Sequence, residues 1–582
     1  MKKPSARWLV LAFMMTASLG QAADNPTNAM PKDWSAIWVN QAGYMSHWPK
    51  RALVKNPLSE WQTVDLINVD TNEKVAEFPL ATPEMDMHSN DRVAAIEFEQ
   101  FQQQGTYRLQ IGDVKSPVFR IGVRVFDELS FKLLRSYFLQ RCGVALKDNL
   151  SGLEHGLDHH DDGVLLHSDD LNPQGLPILS TGGWHDAGDF GKYVTTTTVA
   201  IGEILDAYSR SPQSYPDKQL RIPESGNQQS DLLDEVQVGL RWLLTMQRSD
   251  GAVYRKLSGD RWPPVVVPDA DKQARYVYGI SSPETAKFAA VMAQAARVFR
   301  RTSPELAQNY EQAARQAWQW LATVKEQQTV DWYEKDDTGS GKYLYSDTDT
   351  ELALLTDRDD RVWAAAELWL LTHEQEYLDY LQSENYLTEH LSIYEWKNPA
   401  LLGVIHLLQD KKANLPASLQ KRLRNAVIDL ANESLHRSQE SAFKLANHRF
   451  IWGSNKMAAA EGQLLVAAYQ LTGEDEYWQA ALSQLNFILG VNPQGLSFVT
   501  GIGEPRVRHV AHIFARAIHQ DIDGLLVGGA NDLAQDGIAP KGLGILSYID
   551  SEKAYSVNEY AIDYNSALIG LLGTLQQAAN NR

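Results

Sequence analysis

Ala364-Ala-Ala-Glu-Leu-Trp-Leu-Leu-Thr372-His-Glu374-Gln-Glu376-Tyr377 is echoed 100 residues later by Leu471-Thr472-Gly-Glu474-Asp-Glu476-Tyr477. Ala295-Ala-Arg-Val-Phe-Arg-Arg-Thr302-Ser-Pro-Glu305-Leu repeats it loosely. Each copy is an apolar helical run, a tight polar turn and the start of a new helix. A unit of this kind cannot bury its apolar face alone, so its recurrence predicts stacked helical hairpins, forming either an open solenoid or a closed toroid. The helical texture begins at Phe126, where Leu129, Leu133, Leu134 and Phe138 recur at spacings of three and four, the face of an amphipathic helix.

Upstream the pattern changes. Ile37-Trp-Val-Asn-Gln, Arg51-Ala-Leu-Val, Thr63-Val-Asp-Leu-Ile-Asn-Val, Val93-Ala-Ala-Ile-Glu-Phe, Gly105-Thr-Tyr-Arg-Leu-Gln-Ile and Val118-Phe-Arg-Ile are short, β-prone and separated by polar turns. Such spacing predicts a small β-sandwich over residues 33–124, followed by a helical domain over 126–582. The chain opens with Met-Lys2-Lys3, an apolar run from Trp8 to Leu19 and Gln21-Ala22-Ala23. That order predicts a secretory signal over residues 1–23, and the apolar run is too short to span a bilayer. The expected destination is the periplasm or the medium. Loss of Lys2, Lys3 and Arg7, with no acid among those residues, would take the net charge from −19 to −22. Such a chain should not seek nucleic acid or anionic membranes. One cysteine, Cys142, excludes an intramolecular disulfide, so stability must come from core size or a bound metal.

Two segments carry chemistry. Gly182-Gly183-Trp184-His185-Asp186-Ala187-Gly188-Asp189-Phe190-Gly191-Lys192-Tyr193 places an Asp-x-x-Asp pair among four glycines, which permit tight turns and close approach to a ligand. Tyr548-Ile-Asp550-Ser-Glu-Lys-Ala-Tyr555-Ser-Val-Asn558-Glu559-Tyr560-Ala561-Ile-Asp563-Tyr564-Asn565-Ser566 sets Glu559 among aromatic rings. Burial by those rings would favour its protonated form, as a general acid needs. Hydrolysis of a glycoside with inversion requires such an acid and a carboxylate that activates water on the opposite face of the sugar.

These segments, with Ser230-Asp231-Leu-Leu-Asp234-Glu235, Trp452-Gly-Ser-Asn455 and Asn486-Phe-Ile-Leu-Gly-Val-Asn492-Pro493, resemble glycoside hydrolase family 9, the inverting cellulases. The resemblance implies a closed (α/α)6 barrel behind the immunoglobulin-like module. It also implies Asp189 as general base, Asp186 as its partner on the water and Glu559 as general acid. The expected activity is that of an endo-β-1,4-glucanase on cellulose-type glucans or cellodextrins. One alternative is an exo-acting β-glycosidase on short or glucosamine-containing oligomers; another is a carbohydrate-binding protein that has lost catalysis. Trp452, Tyr555, Trp262, His512 and Asp550 are the expected substrate contacts, with Trp396 near a subsite; Asp550 either orders a sugar hydroxyl or caps the chain.

Ser497-Phe-Val-Thr-Gly-Ile-Gly503 keeps the first half of another family signature. In the second half Ala511 and Ile513 stand where an active-site His and Arg are expected. Either His512 with Arg516, or Arg508 with His509, takes over their role, or the preferred sugar differs. No cofactor is implied for catalysis, but a structural zinc is, with Cys142, Asp158, His159 and His185 as ligands and His155, His160 and His167 competing. The bland alternative is a buried free thiol among exposed histidines. Calcium is also frequent in the family, without ligands to be assigned in this chain.

Overall fold

The inner helices of the second domain are apolar on nearly every side, which fits a helix only to a fully buried position. In the computed structural model, which describes residues 36–324 and 356–580, these are α2 (Val194–Arg210), α4 (Ser282–Phe299), α6 (Arg358–Thr372), α9 (Ala400–Gln409), α11 (Ser454–Thr472) and α15 (Ile562–Asn580). Around them run α1 (Asp127–Leu139), α3 (Asp231–Thr245), α5 (Pro304–Leu321), α7 (Gln375–Ser383), α10 (Ala417–Glu440) and α12 (Asp475–Ile488). Short helices α8 (Tyr386–Glu389), α13 (Ile513–Ile518) and α14 (Tyr555–Asn558) sit in the connections. α10 shows the outer pattern: it buries Leu419, Leu423, Val427, Ala431, Ser434 and Ser438 and turns the rest to solvent. Packing of α15 on α2, α2 on α4, α4 on α6, α6 on α9 and α11 on α15 carries the inner ring. Gln409 donates to Gln470 at 2.7 Å and joins α9 to α11. The expected (α/α)6 barrel is thus present, and the open-solenoid alternative is not.

The repeated phrase marks two of its corners. α6 ends at Thr372 with His373 left-handed, and α11 ends at Thr472 with Gly473 left-handed. In both, the threonine hydroxyl accepts from the backbone two residues on, at 3.1 Å from Glu374 and 3.2 Å from Glu474. One helix is closed and the next begun by local bonds alone.

The sandwich has two sheets, one ordered 37–38, 51–55, 92–97, 84–85 and the other 44–45, 119–122, 105–111, 63–68, 74–79, with 114–115 paired to 105–111. Alternation puts Val64, Leu66, Leu109, Ile96 and Phe119 into one core. All six expected runs are strands. The strand at 74–79 comes in addition to them: it is an edge strand whose Lys74 and Glu77 face solvent, the charged dress that protects edges.

One expectation needs correction. The chain beyond Phe126 is not helical throughout, because 254–259 and 275–280 pair antiparallel and add 164–165 and 192–193 at the flanks. Tyr254, Leu257, Val277, Tyr278 and Ile280 are β-prone and buried, so sheet formation wins locally. The segment 192–193 follows Asp189 after two residues, which makes this sheet an anchor for the loop of the Asp-x-x-Asp pair.

The sandwich docks on the Asn486–Pro493 motif. Asn40 Nδ2 donates to Asn486 Oδ1 at 2.9 Å, and Gln41 reaches the carbonyls of Leu489 and Gly495 at 2.9 Å each. Gly490 has φ of +127°, and a Cβ there would lie 2.7 Å from Gln41 and from the Val39 carbonyl; only glycine allows the approach. No helix among the described residues is long and apolar enough to cross a membrane. The signal over residues 1–23 lies outside the described residues.

Candidate active site and metal cluster

The two carboxyl segments, far apart in sequence, meet through backbone pairing. Ala187 bridges Ala561 antiparallel, Ile562 N–H donates to the Asp186 carbonyl at 2.8 Å, and Tyr560 bridges Val527. The Trp452-Gly-Ser-Asn455 motif joins the same ladder, since Asn455 Nδ2 donates to the Val527 carbonyl at 2.9 Å. Asn565 accepts from Leu526 N–H at 2.9 Å and donates to Ser136 Oγ at 2.8 Å. Glu235 accepts from the Trp184 indole at 2.8 Å and from Arg141, fixing the start of the Asp loop. The motif residues are therefore mostly fasteners that hold three carboxyls in place.

Tyr193 Oη donates to Asp189 Oδ2 at 2.9 Å, and Thr196 Oγ1 donates to Asp186 Oδ1. Glu559 lies beside Gly188, where an added Cβ would stand 3.1 Å from Glu559 Oε1 and 2.2 Å from the Ala511 carbonyl. Burial, then the charges of Asp189 and Asp186, push the Glu559 carboxyl well above the ordinary glutamate range. Burial, then Asp563, does the same to Asp186, against the Thr196 hydroxyl. Crowding of carboxyls in a buried space disfavours their charged forms, so Glu559, beside the Asp-x-x-Asp pair, is pushed toward its protonated form.

Of the expected substrate contacts, Trp452 and Tyr555 form a half-open pair, rings 5.6 Å apart and tilted by 39°, in the loops around Glu559. Trp262 is exposed in the connection after strand 254–259. Asp550 turns inward: its oxygens accept from the backbone of Arg508 at 3.0 Å and His509 at 2.9 Å and from Asn558 at 3.0 Å, which makes it the cap of that loop. His512 is buried, meets Gln140 Oε1 at 3.0 Å through Nε2 and caps Ala515 N–H through Nδ1. Burial, then His185, lowers its pKa to about 3; both ring nitrogens are spent inside the protein. Arg508 is ion-paired to Glu504 at 2.6 Å. The departing positions lie on the ladder itself: Ala511 N–H donates to Asn558 O at 2.9 Å and Ile513 N–H to Gly188 O at 2.8 Å. Tyr193 and Thr196 are site residues that sequence reasoning misses; Tyr193 lies in the quoted segment, four residues after Asp189.

Behind the loop, one ligand atom each of Cys142, Asp158, His159 and His185 lies within 4.8 Å of all the others. Cys142 Sγ is 3.9 Å from His159 Nδ1, His185 Nε2 is 3.3 Å from that nitrogen and 3.2 Å from Asp158 Oδ2, and Asp158 Oδ2 is 3.2 Å from His159 Nδ1. Tetrahedral ligation by N, O and S at ordinary zinc bond lengths sets ligand atoms about 3.3–3.8 Å apart, so the donor set and spacing fit a metal ion. Asp271 lies 3.5 Å from the far nitrogen of His159 and orients the ring. Burial alone would raise the Cys142 thiol, but Lys192 and the two histidines bring it down to about 6, favouring thiolate. His155 instead bonds the Gly156 carbonyl.

A buried carboxyl beside an Asp pair, at the mouth of a helical barrel, is an arrangement that hydrolysis of a glycoside can use. Residues 126–572 match the family described as Glycosyl hydrolase family 9, and residues 32–116 match the Cellulase N-terminal ig-like domain. The chain belongs to glycosyl hydrolase family 9. Among its relatives, a xyloglucan-specific endo-β-1,4-glucanase of Bacteroides ovatus is 30% identical over 598 residues, covering 98% of each chain. The crystal structure of a metagenome-derived family 9 endoglucanase superimposes with a TM-score of 0.86 at 40% identity, over 93% of this chain and 98% of that one. A Zn-binding triple mutant of another family 9 endoglucanase gives 0.85 at 32% identity, over 91% and 99%.

Proposed function

We propose that the protein is an exported, inverting endo-β-1,4-glucanase that cleaves cellulose-type glucans or cellodextrins. Asp189 serves as general base, Asp186 as its partner on the attacking water and Glu559 as general acid. The observation that carries this is the buried Glu559 carboxyl, pushed toward its protonated form and set beside Gly188 and Asp189. Trp452 and Tyr555 offer ring faces to the C–H faces of the sugar. Export follows from the N-terminal Lys2-Lys3, apolar run and Ala22-Ala23. The Cys142, Asp158, His159 and His185 cluster holds structural zinc; its four ligands close the coordination sphere, so the metal stiffens the loop before Asp186 and leaves no position for substrate.

Ala511 and Ile513 favour a second reading. They lie in the segment bonded to Gly188 and Asn558 without the polar groups of the family pattern, which suits an exo-acting enzyme on short or glucosamine-containing oligomers. Product profiles on cellohexaose and a chitosan oligomer decide. Early intermediate-length cellodextrins support the endoglucanase; single sugars released stepwise, or preference for chitosan, support the second reading. No product from folded protein leaves a carbohydrate-binding protein.

A further inference from the structure

The end of the barrel opposite the catalytic loops is closed by polar groups. α2 carries Thr196, Glu203, Asp206 and Arg210 along one face, so the helix that begins beside the Asp loop ends in charge. At its base His406, on α9, meets Asp206 Oδ1 through Nε2 at 3.0 Å and Glu367 Oε1, on α6, through Nδ1. Glu367 also accepts from Arg297 on α4. Arg210 Nε donates to Asp206 at 2.7 Å, and its Nη1 donates to Gln577 Oε1, on α15, at 2.7 Å. Gln470 on α11 donates to the same oxygen at 3.1 Å and accepts from Gln409 at 2.7 Å. Since Gln409 and His406 share α9, the chain of bonds closes on itself, and all six inner helices contribute.

We propose that His406 is a pH-sensitive keystone of the barrel base, which as imidazolium joins α9 to α2 and α6 and on losing its proton releases them. A ring with a carboxylate at each nitrogen must donate from both, and only the charged form does so. The neutral ring would turn a lone pair toward a buried carboxylate oxygen, a contact that costs free energy because Asp206 and Glu367 are buried. The charges facing the ring are Glu367 from α6 and Asp206 from α2. Arg297 and Arg210 hold the far oxygens of those acids, and the buried Tyr394 phenol lies near both.

Burial opposes the charged ring, but Glu367 and Asp206 outweigh it and raise its pKa above the ordinary histidine value. Both acids are shifted downward: burial works against them, and Arg210 with His406, or Arg297 with His406, prevails. The folded state therefore binds this proton more tightly than the unfolded chain. Its contribution is complete below the unfolded value of about 6.5 and is lost as pH rises through the higher folded value.

Thermal unfolding of the full chain across about pH 5 to 10 tests this, with His406→Gln as the uncharged comparison. The variant should melt well below the parent at the acid end, and the gap should close as pH rises. A gap that stays constant with pH overturns the proposal. Should the variant fail to fold, imidazole nitrogen spectra of the histidine-labelled parent decide at about pH 7.5, where an unperturbed histidine is mostly neutral. Both nitrogens of His406 protonated is the expected result; a neutral ring overturns the proposal.

Discussion

The two ends of the barrel use the same helices and opposite electrostatics. At the mouth, Asp186, Asp189, Glu559 and Asp563 crowd around the starts of α2 and α15, and the cation facing them, Lys456, is already held by Glu395 at 3.1 Å and Asp563 at 3.3 Å. Glu559 and Asp186 are accordingly driven toward their protonated forms. At the base, Asp206 and Glu367 are just as buried, but each has a cation on either side and stays ionised. Burial does not decide whether a carboxyl is structural or catalytic; compensation does. The buried acids at the base have their partners and fasten the helices, whereas those at the mouth lack them, as the proposed acid role of Glu559 requires.

The sharpest way to break this comparison is at the mouth. Glu559→Gln should leave folding intact and lower the rate on ordinary glycosides by about 10² to 10⁴, the usual worth of a general acid. Substrates with very acidic leaving groups should lose less. The acid works while protonated, so parent activity should fall as pH rises through the raised Glu559 value, and this basic limb should vanish in the variant. Equal losses on both kinds of substrate would remove Glu559 from the acid role.

Cys142→Ser tests whether the loop behind the mouth is stiffened by metal. The parent should contain about one zinc per chain. The variant should lose affinity by more than the roughly 10–100-fold that outer-shell changes cost, melt earlier, and lose activity only as it unfolds. Parent protein purified without chelator and free of zinc would end that account.

Ala511→His with Ile513→Arg asks what the departing segment does. If the new side chains reach the sugar, the ratio of activity on cellodextrins to that on other β-linked oligomers should move by about 1–3 kcal/mol for each hydrogen bond they make to it. An unchanged ratio and unchanged activity would place them off the substrate. Tyr193→Phe is the mildest test: losing its bond to Asp189 should cost about 0.5–1.5 kcal/mol in kcat/KM, up to roughly tenfold, with the melting temperature nearly kept. No change would show that Asp189 is placed without it.

What is legible in the sequence is what local chemistry dictates. The corners at Thr372 and Thr472 are readable because their bonds lie within three residues, and the sandwich because its strands alternate. Asp186, Asp189 and Glu559 stand out through their motifs. Hidden features depend on partners distant in sequence: the sheet that grips Lys192 and Tyr193, the Asp563–Lys456 ion pair, and the base network joining Asp206 to His406 two hundred residues away. Residue type alone points His512 to the cleft, but in an extended segment neighbours face opposite sides, and its turn is inward.

Proton NMR of the first product formed from a β-linked oligomer tests the central claim most directly, that Asp189 directs water to the sugar face opposite Glu559. Inversion requires the α-anomer to appear first, before mutarotation. Initial release of the β-anomer would mean a double displacement and contradict the assignment of Asp189 as base.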